Sequence, residues 1–237
     1  MTKFFLSLFF VLTFSFSAAL AQTFDDGFAA FEAGDATKAI KIWLELADKG
    51  DVKSQYNLGY MSENGIELEQ NFEQAIIYYK LAAEQGYANA QLNIGSMYAK
   101  GLGVEQNLVT AVKWYEKAAE QGLPLAQANL GINYLNGHGV RRNSEKALFW
   151  LRKASTQGAF QAQSYLGLMY VQGKGVEKSN SRAYMWWLIA NYLGFENVKA
   201  NLDKVTNLLS KEELDKANAM AETCLNSNYK ECGQDSL

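Results

Sequence analysis

The block from Tyr87 to Gly122 recurs in nearly the same form along the chain, with copies starting at Asp51, Tyr87, Leu123 and Ala159 at a constant spacing of 36 residues. A fixed period of this size means one supersecondary unit stacked on copies of itself. Several columns run through every copy: Gln55, Gln91, Gln127 and Gln163; Gly59, Gly95, Gly131 and Gly167; Gly65, Gly101, Gly137 and Gly173; Ala75, Ala111, Ala147 and Ala183. An aromatic column, Tyr78, Trp114, Trp150 and Trp186, follows, and Gly86, Gly122, Gly158 and Gly194 close the blocks.

Each column has a physical reading. The first half of a block is an apolar-periodic run without internal proline, which predicts a helix of about 13 residues. Its mid-helix glycine costs roughly 1 kcal/mol against alanine. Repeating that cost points to close approach by a neighbouring helix. The next glycine falls just past the helix end, where a left-handed cap is needed. Asn71, Asn107, Asn143 and Ser179 are strong N-cap types and open a second apolar run. In the first copy Gln74 is placed to complete a capping box with Asn71. The alanines and large aromatics of the second run are expected to interdigitate with the first helix, which makes the tryptophan column core. Each block is thus a helical hairpin that cannot bury its apolar face alone, and stacking supplies the core. The expected fold is all-α, an α/α superhelical solenoid of stacked hairpins at 51–86, 87–122, 123–158 and 159–194.

The second copy carries Ala90, Ile94, Gly95, Tyr98, Gly101, Gly103, Val104, Ala111, Trp114, Tyr115, Ala118, Ala119 and Gly122. This pattern resembles the Sel1-like repeat, a relative of the tetratricopeptide repeat, in its exported bacterial form. The resemblance implies a scaffold that holds other proteins together, not an enzyme. Some cysteine-rich relatives have been suggested to hydrolyse cell-wall or β-lactam substrates, which gives an alternative reading. Those relatives carry cysteine pairs inside the repeats, and this chain has none there.

Outside the repeats the chain reads differently. Lys3, the apolar run Phe4–Phe16 and the small-residue site Ala19-Leu20-Ala21 read as a signal peptide over residues 1–21. The run is short for a span, which needs about 20 apolar residues. The mature chain is therefore expected to be periplasmic or secreted, with no stable membrane span. Residues 22–50 read as a degenerate capping hairpin, 195–225 as C-terminal capping helices and 226–237 as a polar tail. Losing Lys3 leaves the net charge below the −3 of the full chain. Nucleic acid as a partner needs a basic face, so it is not expected.

Candidate chemistry is sparse. Cys224 and Cys232 are the only cysteines, and an even number in an exported chain favours a disulfide between them. His138, the only histidine, lies between Gly137 and Gly139 in a turn, where sister copies have Leu102 and Lys174. One histidine with two tail cysteines assembles no zinc site of usual spacing, so neither metal nor cofactor is expected. Ser227-Asn228-Tyr229-Lys230 fits S-x-x-K, the nucleophile pattern of penicillin-recognising enzymes, but without its partner motifs. The paired-glycine turns lack the strand and third glycine of a phosphate cradle.

If first helices line the groove, as in the related superhelix, its columns are Tyr56, Leu92, Ala128 and Ser164; Tyr60, Ser96, Ile132 and Leu168; Asn64, Lys100, Asn136 and Gln172. These vary between copies while the packing columns do not. Exposed apolar groups such as Leu92, Ile132 and Leu168 point to a protein partner. The partner-binding set is Tyr56, Tyr60, Leu92, Ile132, Leu168, Lys100, Asn136 and Gln172.

Overall fold

A computed structural model describes residues 22–232; the expected signal peptide and residues 233–237 of the tail lie outside them. Among the described residues all regular structure is helical. An opening pair, α1 (Phe24–Glu32) and α2 (Ala36–Asp48), is followed by α3 (Val52–Asn64) with α4 (Phe72–Glu84) and α5 (Ala88–Lys100) with α6 (Leu108–Glu120). Next come α7 (Pro124–Asn136) with α8 (Ser144–Ser155) and α9 (Phe160–Gln172) with α10 (Asn180–Tyr192). A 3-10 turn (Glu196–Val198), α11 (Lys199–Thr206) and α12 (Lys211–Asn226) end the array. From α1 to α10 each helix packs chiefly on its chain neighbours, so the hairpins form a solenoid, and α12 packs back on α10.

Local chemistry sets the helix ends. The side-chain oxygens of Asn71, Asn107, Asn143 and Ser179 accept the backbone N–H three residues on. The capping box expected at Asn71 is only half made: Gln74 gives its N–H to Asn71, while the Asn71 N–H goes to the Ser62 carbonyl at 2.8 Å. Full boxes form at Thr23 with Asp26 and at Ser210 with Glu213. Gly101 ends α5 in the left-handed region at φ 71°, returning its N–H to Met97.

Within each hairpin a glycine meets a large side chain. A Cβ on Gly59 or Gly95 would lie 2.7 Å from the ring of Tyr79 or Tyr115, and one on Gly131 would lie 2.7 Å from Leu151. Gly167 and Gly27 are covered in the same way by Trp187 and Trp43. Both indoles donate Nε1–H to a first-helix carbonyl, Ser164 at 2.9 Å and Phe24 at 3.2 Å. The fully packed column is therefore Trp43, Tyr79, Tyr115, Leu151 and Trp187, each buried.

The tryptophan column expected in the core lies one residue earlier and differs. Tyr78, Trp114 and Trp150 are half-buried, and only Trp186 is buried. One helical residue turns the side chain by about 100°, which carries this column off the seam. The exposed ring faces are covered by lysines: Lys117 Nζ stands 4.2 Å from the Trp114 centroid and Lys153 Nζ 5.4 Å from that of Trp150.

Between hairpins, two devices recur. The second glycines of the paired turns, Gly103 and Gly139, press against the backbone of Phe72 and Leu108 in the preceding hairpin, leaving no room for a Cβ. The second device is a glutamine relay. Gln55, Gln91 and Gln127 each donate Nε2–H at 3.1 Å to the carbonyls of Ala47, Ala83 and Ala119 near the end of the preceding helix. Their Oε1 atoms accept from Gln85, Gln121 and Gln157 at 2.8 Å. These carbonyls also accept the N–H of Gly50, Gly86 and Gly122, so the relay adds a second bond at each helix end. In the last repeat Leu193 stands where the donor glutamine would be, and the buried Gln163 Oε1 has no partner among the described residues.

Candidate functional site

The outward face of the first helices recurs with the repeat and changes much of its chemistry from copy to copy. On α3 the residues turned away from both seams are Lys53, Asn57, Tyr60 and Asn64, spaced as one stripe of a helix. The corresponding residues are Asn89, Asn93, Ser96 and Lys100 on α5, then Leu125, Asn129, Ile132 and Asn136 on α7. On α9 they are Gln161, Tyr165, Leu168 and Gln172. All are half-buried or exposed, while Gln55, Leu58, Gly59 and Ser62 on the opposite side of α3 are buried.

The expected groove residues fall on this surface in two ways. Tyr60 is 44% exposed, and Lys100, Asn136 and Gln172 are exposed. Leu92, Ile132 and Leu168 are half-buried against the core, so they form its rim more than a free apolar surface. Tyr56 is half-buried between the rings of Tyr79 and Tyr87, at centroid distances of 5.7 and 5.0 Å. Ala128 is buried. The columns of Lys53 and Asn57 escaped the sequence reading. Their signal was available, because positions four and seven residues apart share a helix face.

The stripe carries Lys53 and Lys100 and no carboxylate. Glu63 stands at its flank and accepts the Tyr79 hydroxyl at 2.7 Å. Burial, then that carboxylate acceptor, raises the Tyr79 phenol far above its ordinary range. Burial alone pushes Tyr115 up to about 12, with the Ser96 hydrogen bond opposing it. The charge pattern reverses between successive repeats. Tyr134 donates to Glu116 at 3.1 Å, whereas Tyr170 accepts from Arg152 and Arg182 at 3.2 and 3.4 Å.

The remaining candidates have structural places. Cys224 and Cys232 form a disulfide that folds the chain back beside α12, and Tyr229 within this loop lies against Gly158. Ser227 of the S-x-x-K match donates to the Cys224 carbonyl and accepts from Glu231 N–H, both at 2.9 Å, closing that turn. His138 is exposed in its turn. Among the described residues no cluster of His, Cys, Asp and Glu is placed to hold a metal ion, and no helix is long and apolar enough to cross a membrane. A cleft of about 520 Å³ lies between α10 and α11, lined among others by Tyr184, Leu188, Asn191, Lys199 and Asp203.

The model of the Sel1 repeat matches the chain at residues 52–87, 88–123, 124–158 and 160–195. The chain belongs to the Sel1 repeat family. Two solved Sel1-type structures are similar to it. One is a protective antigen of uropathogenic Escherichia coli strains with an SLR fold, 32% identical, with a TM-score of 0.79, covering 90% of this chain and 49% of that one. The chain thus spans about half the length of that antigen. The other is a Sel1 repeat protein from Oxalobacter formigenes, 31% identical, with a TM-score of 0.72, covering 86% of this chain and 83% of that one. Comparison with functionally curated proteins gives no match. The Sel1 fold is typical of protein–protein interaction scaffolds, and the family is generally non-enzymatic.

Proposed function

We propose that this Sel1 repeat protein is an exported scaffold of the cell envelope, periplasmic or secreted, and that it docks a protein partner on the outward stripe of its first helices. One observation carries the docking reading. Successive repeats keep their seam residues nearly constant and change the stripe from Tyr60 to Ser96, Ile132 and Leu168. Seams need fixed shapes, whereas a face released from packing is shaped by what it meets. The stripe also joins exposed Tyr60 to the half-buried rim of Leu92, Ile132 and Leu168, the mixture of aromatic and apolar groups that anchors protein interfaces. The direct approach of α7 to α9 supports placing the first helices on the inner side of the array.

Export is supported by the Phe4–Phe16 run with Ala19-Leu20-Ala21, and by a disulfide that suits an oxidising compartment. N-terminal sequencing of the mature protein is expected to begin at Gln22. A chain retaining Phe4–Phe16 contradicts a cleaved, exported form.

Docking is tested by placing a photo-reactive residue at Tyr60 or Lys100, and separately at exposed Ile77 or Lys113 on the second helices. Discrete protein adducts are expected from the first pair only. Adducts from the second pair alone contradict the assignment.

A further inference from the structure

The turns that join first to second helices form one continuous ridge along an edge of the array. Gly103, Gly139 and Gly175, each in such a turn, lie against Phe72, Leu108 and Ser144 of the preceding hairpin, so every turn rests on the one before it. The charge of this ridge changes sign along its length. The first turn, 65–73, carries Glu67, Glu69 and Glu73, all exposed, and no cation. The second, 101–109, carries Glu105 alone. The third, 137–145, sets Arg141 and Arg142 against Glu145, and the fourth, 173–181, sets Lys174 and Lys178 against Glu177. Among the described residues none of these acids and bases forms an ion pair within the chain. Glu67 also holds the left-handed conformation, at φ 55°, where the sister turns use glycine. A carboxylate is thus kept there against the preference of its own backbone.

We propose that a second copy of the chain docks on this ridge, antiparallel to the first, about a twofold axis. Turned end for end, the acidic first turn of one copy faces the basic fourth turn of the other, and the symmetry makes the same contact twice. A parallel pairing would set like charges on like. A partner of one charge sign would satisfy one end of the ridge and leave the other unpaired, whereas a second copy satisfies both. The axis passes between the second and third turns, where Gly139 lies on the backbone of Leu108. Exposed apolar side chains stand at that place: Leu108 is 36% and Val109 53% exposed. An apolar centre with a polar surround is the anatomy of a protein interface. Packed helices lie about 8–10 Å apart, so the ridge runs roughly 30 Å from first turn to fourth. That length suits a small, transient interface. Exposed charges are screened by salt, so the dimer is expected to loosen as salt is raised.

The test follows the mass of the full chain by sedimentation, over a range of protein concentrations at low and high salt. A monomer–dimer equilibrium is expected at low salt, shifting to monomer at high salt. The double variant Glu67→Lys, Glu69→Lys makes the ridge basic at both ends, and Arg141→Glu, Lys178→Glu makes it acidic at both. Each alone is expected to self-associate about tenfold or more weakly than the parent. Mixed together, the two are expected to pair one to one, because each end then meets its opposite. Val109→Asp at the axis repeats the test without altering the ends, and is expected to weaken the parent dimer as well. A parent that stays monomeric at low salt, variants that dimerise as the parent does, or a mixture that fails to pair overturns the proposal. Growth into longer oligomers in place of a closed pair shows a head-to-tail contact and overturns the twofold arrangement.

Discussion

Asn93 and Gly95 stand two residues apart on α5 and answer opposite demands. Gly95 faces the hairpin seam, where even a methyl group would meet the Tyr115 ring at 2.7 Å. Asn93 faces outward, half-buried, among stripe residues most of which change between repeats. The seam position is glycine in every copy, and its covering residue follows twenty places later as Tyr79, Tyr115, Leu151 or Trp187. The stripe keeps the helix and lets the chemistry vary. Geometry is thus fixed on one side of the helix so that the other side can be rewritten.

The comparison is broken most severely on the seam. Tyr115→Ala is expected to cost about 3–5 kcal/mol in chemical unfolding. The same residue gives a pH signature. Its phenol is raised from an ordinary 10.0 to about 12 in the folded chain. An unfolded chain loses that proton first, so the contribution is complete below the ordinary value and is lost as pH climbs through the raised one. Unfolding measured across that alkaline window should show wild type losing more stability than Tyr115→Phe. Gly95→Ala comes next, at about 1–3 kcal/mol, because overpacking at the ring outweighs the better helix preference of alanine. Trp114→Ala sharpens the comparison. It removes a half-buried ring with a lysine over it, and about 1–2 kcal/mol is expected. A loss equal to that of Tyr115→Ala would show that the two aromatic columns share the core equally.

The smallest expected effect concerns the glutamine relay. Leu193→Gln supplies the donor that Gln163 Oε1 lacks, and a gain of about 0.5–1 kcal/mol is expected. A loss would mean that the half-buried Leu193 packs more usefully than the completed relay bonds.

Much of the fold was legible because its signals are local. Asn107 opening α6 and Gly101 closing α5 act through bonds to residues within a turn. The choice between Trp114 and Tyr115 as the buried ring was not local, since both sit in one helix and share the repeat period. The glycine column held the clue, but only packing shows which neighbour covers it. The relay was visible as columns of glutamine, though its role requires the preceding helix end to be brought alongside. On the stripe, the variable columns of Lys100, Asn136 and Gln172 were readable as surface. The apolar Leu92, Ile132 and Leu168 were expected more exposed than they are, because the adjoining helices shield their inner halves. Asn57, Asn93 and Asn129 are constant for three copies, so variation between copies does not single them out as surface.

The most direct test measures fold and docking in one molecule. The Asn57→Ala, Asn129→Ala variant, with the photo-reactive residue at Tyr60, is followed by thermal unfolding and by adduct formation. A melting temperature within about 2 °C of the parent, together with loss of the adduct, is the result expected if the stripe binds and the seam holds the fold. Unfolding as severe as that of Tyr115→Ala would contradict the division of each first helix into a packing side and a binding side, whereas a stable variant with an adduct at full yield would keep docking at Tyr60 and remove Asn57 and Asn129 from it.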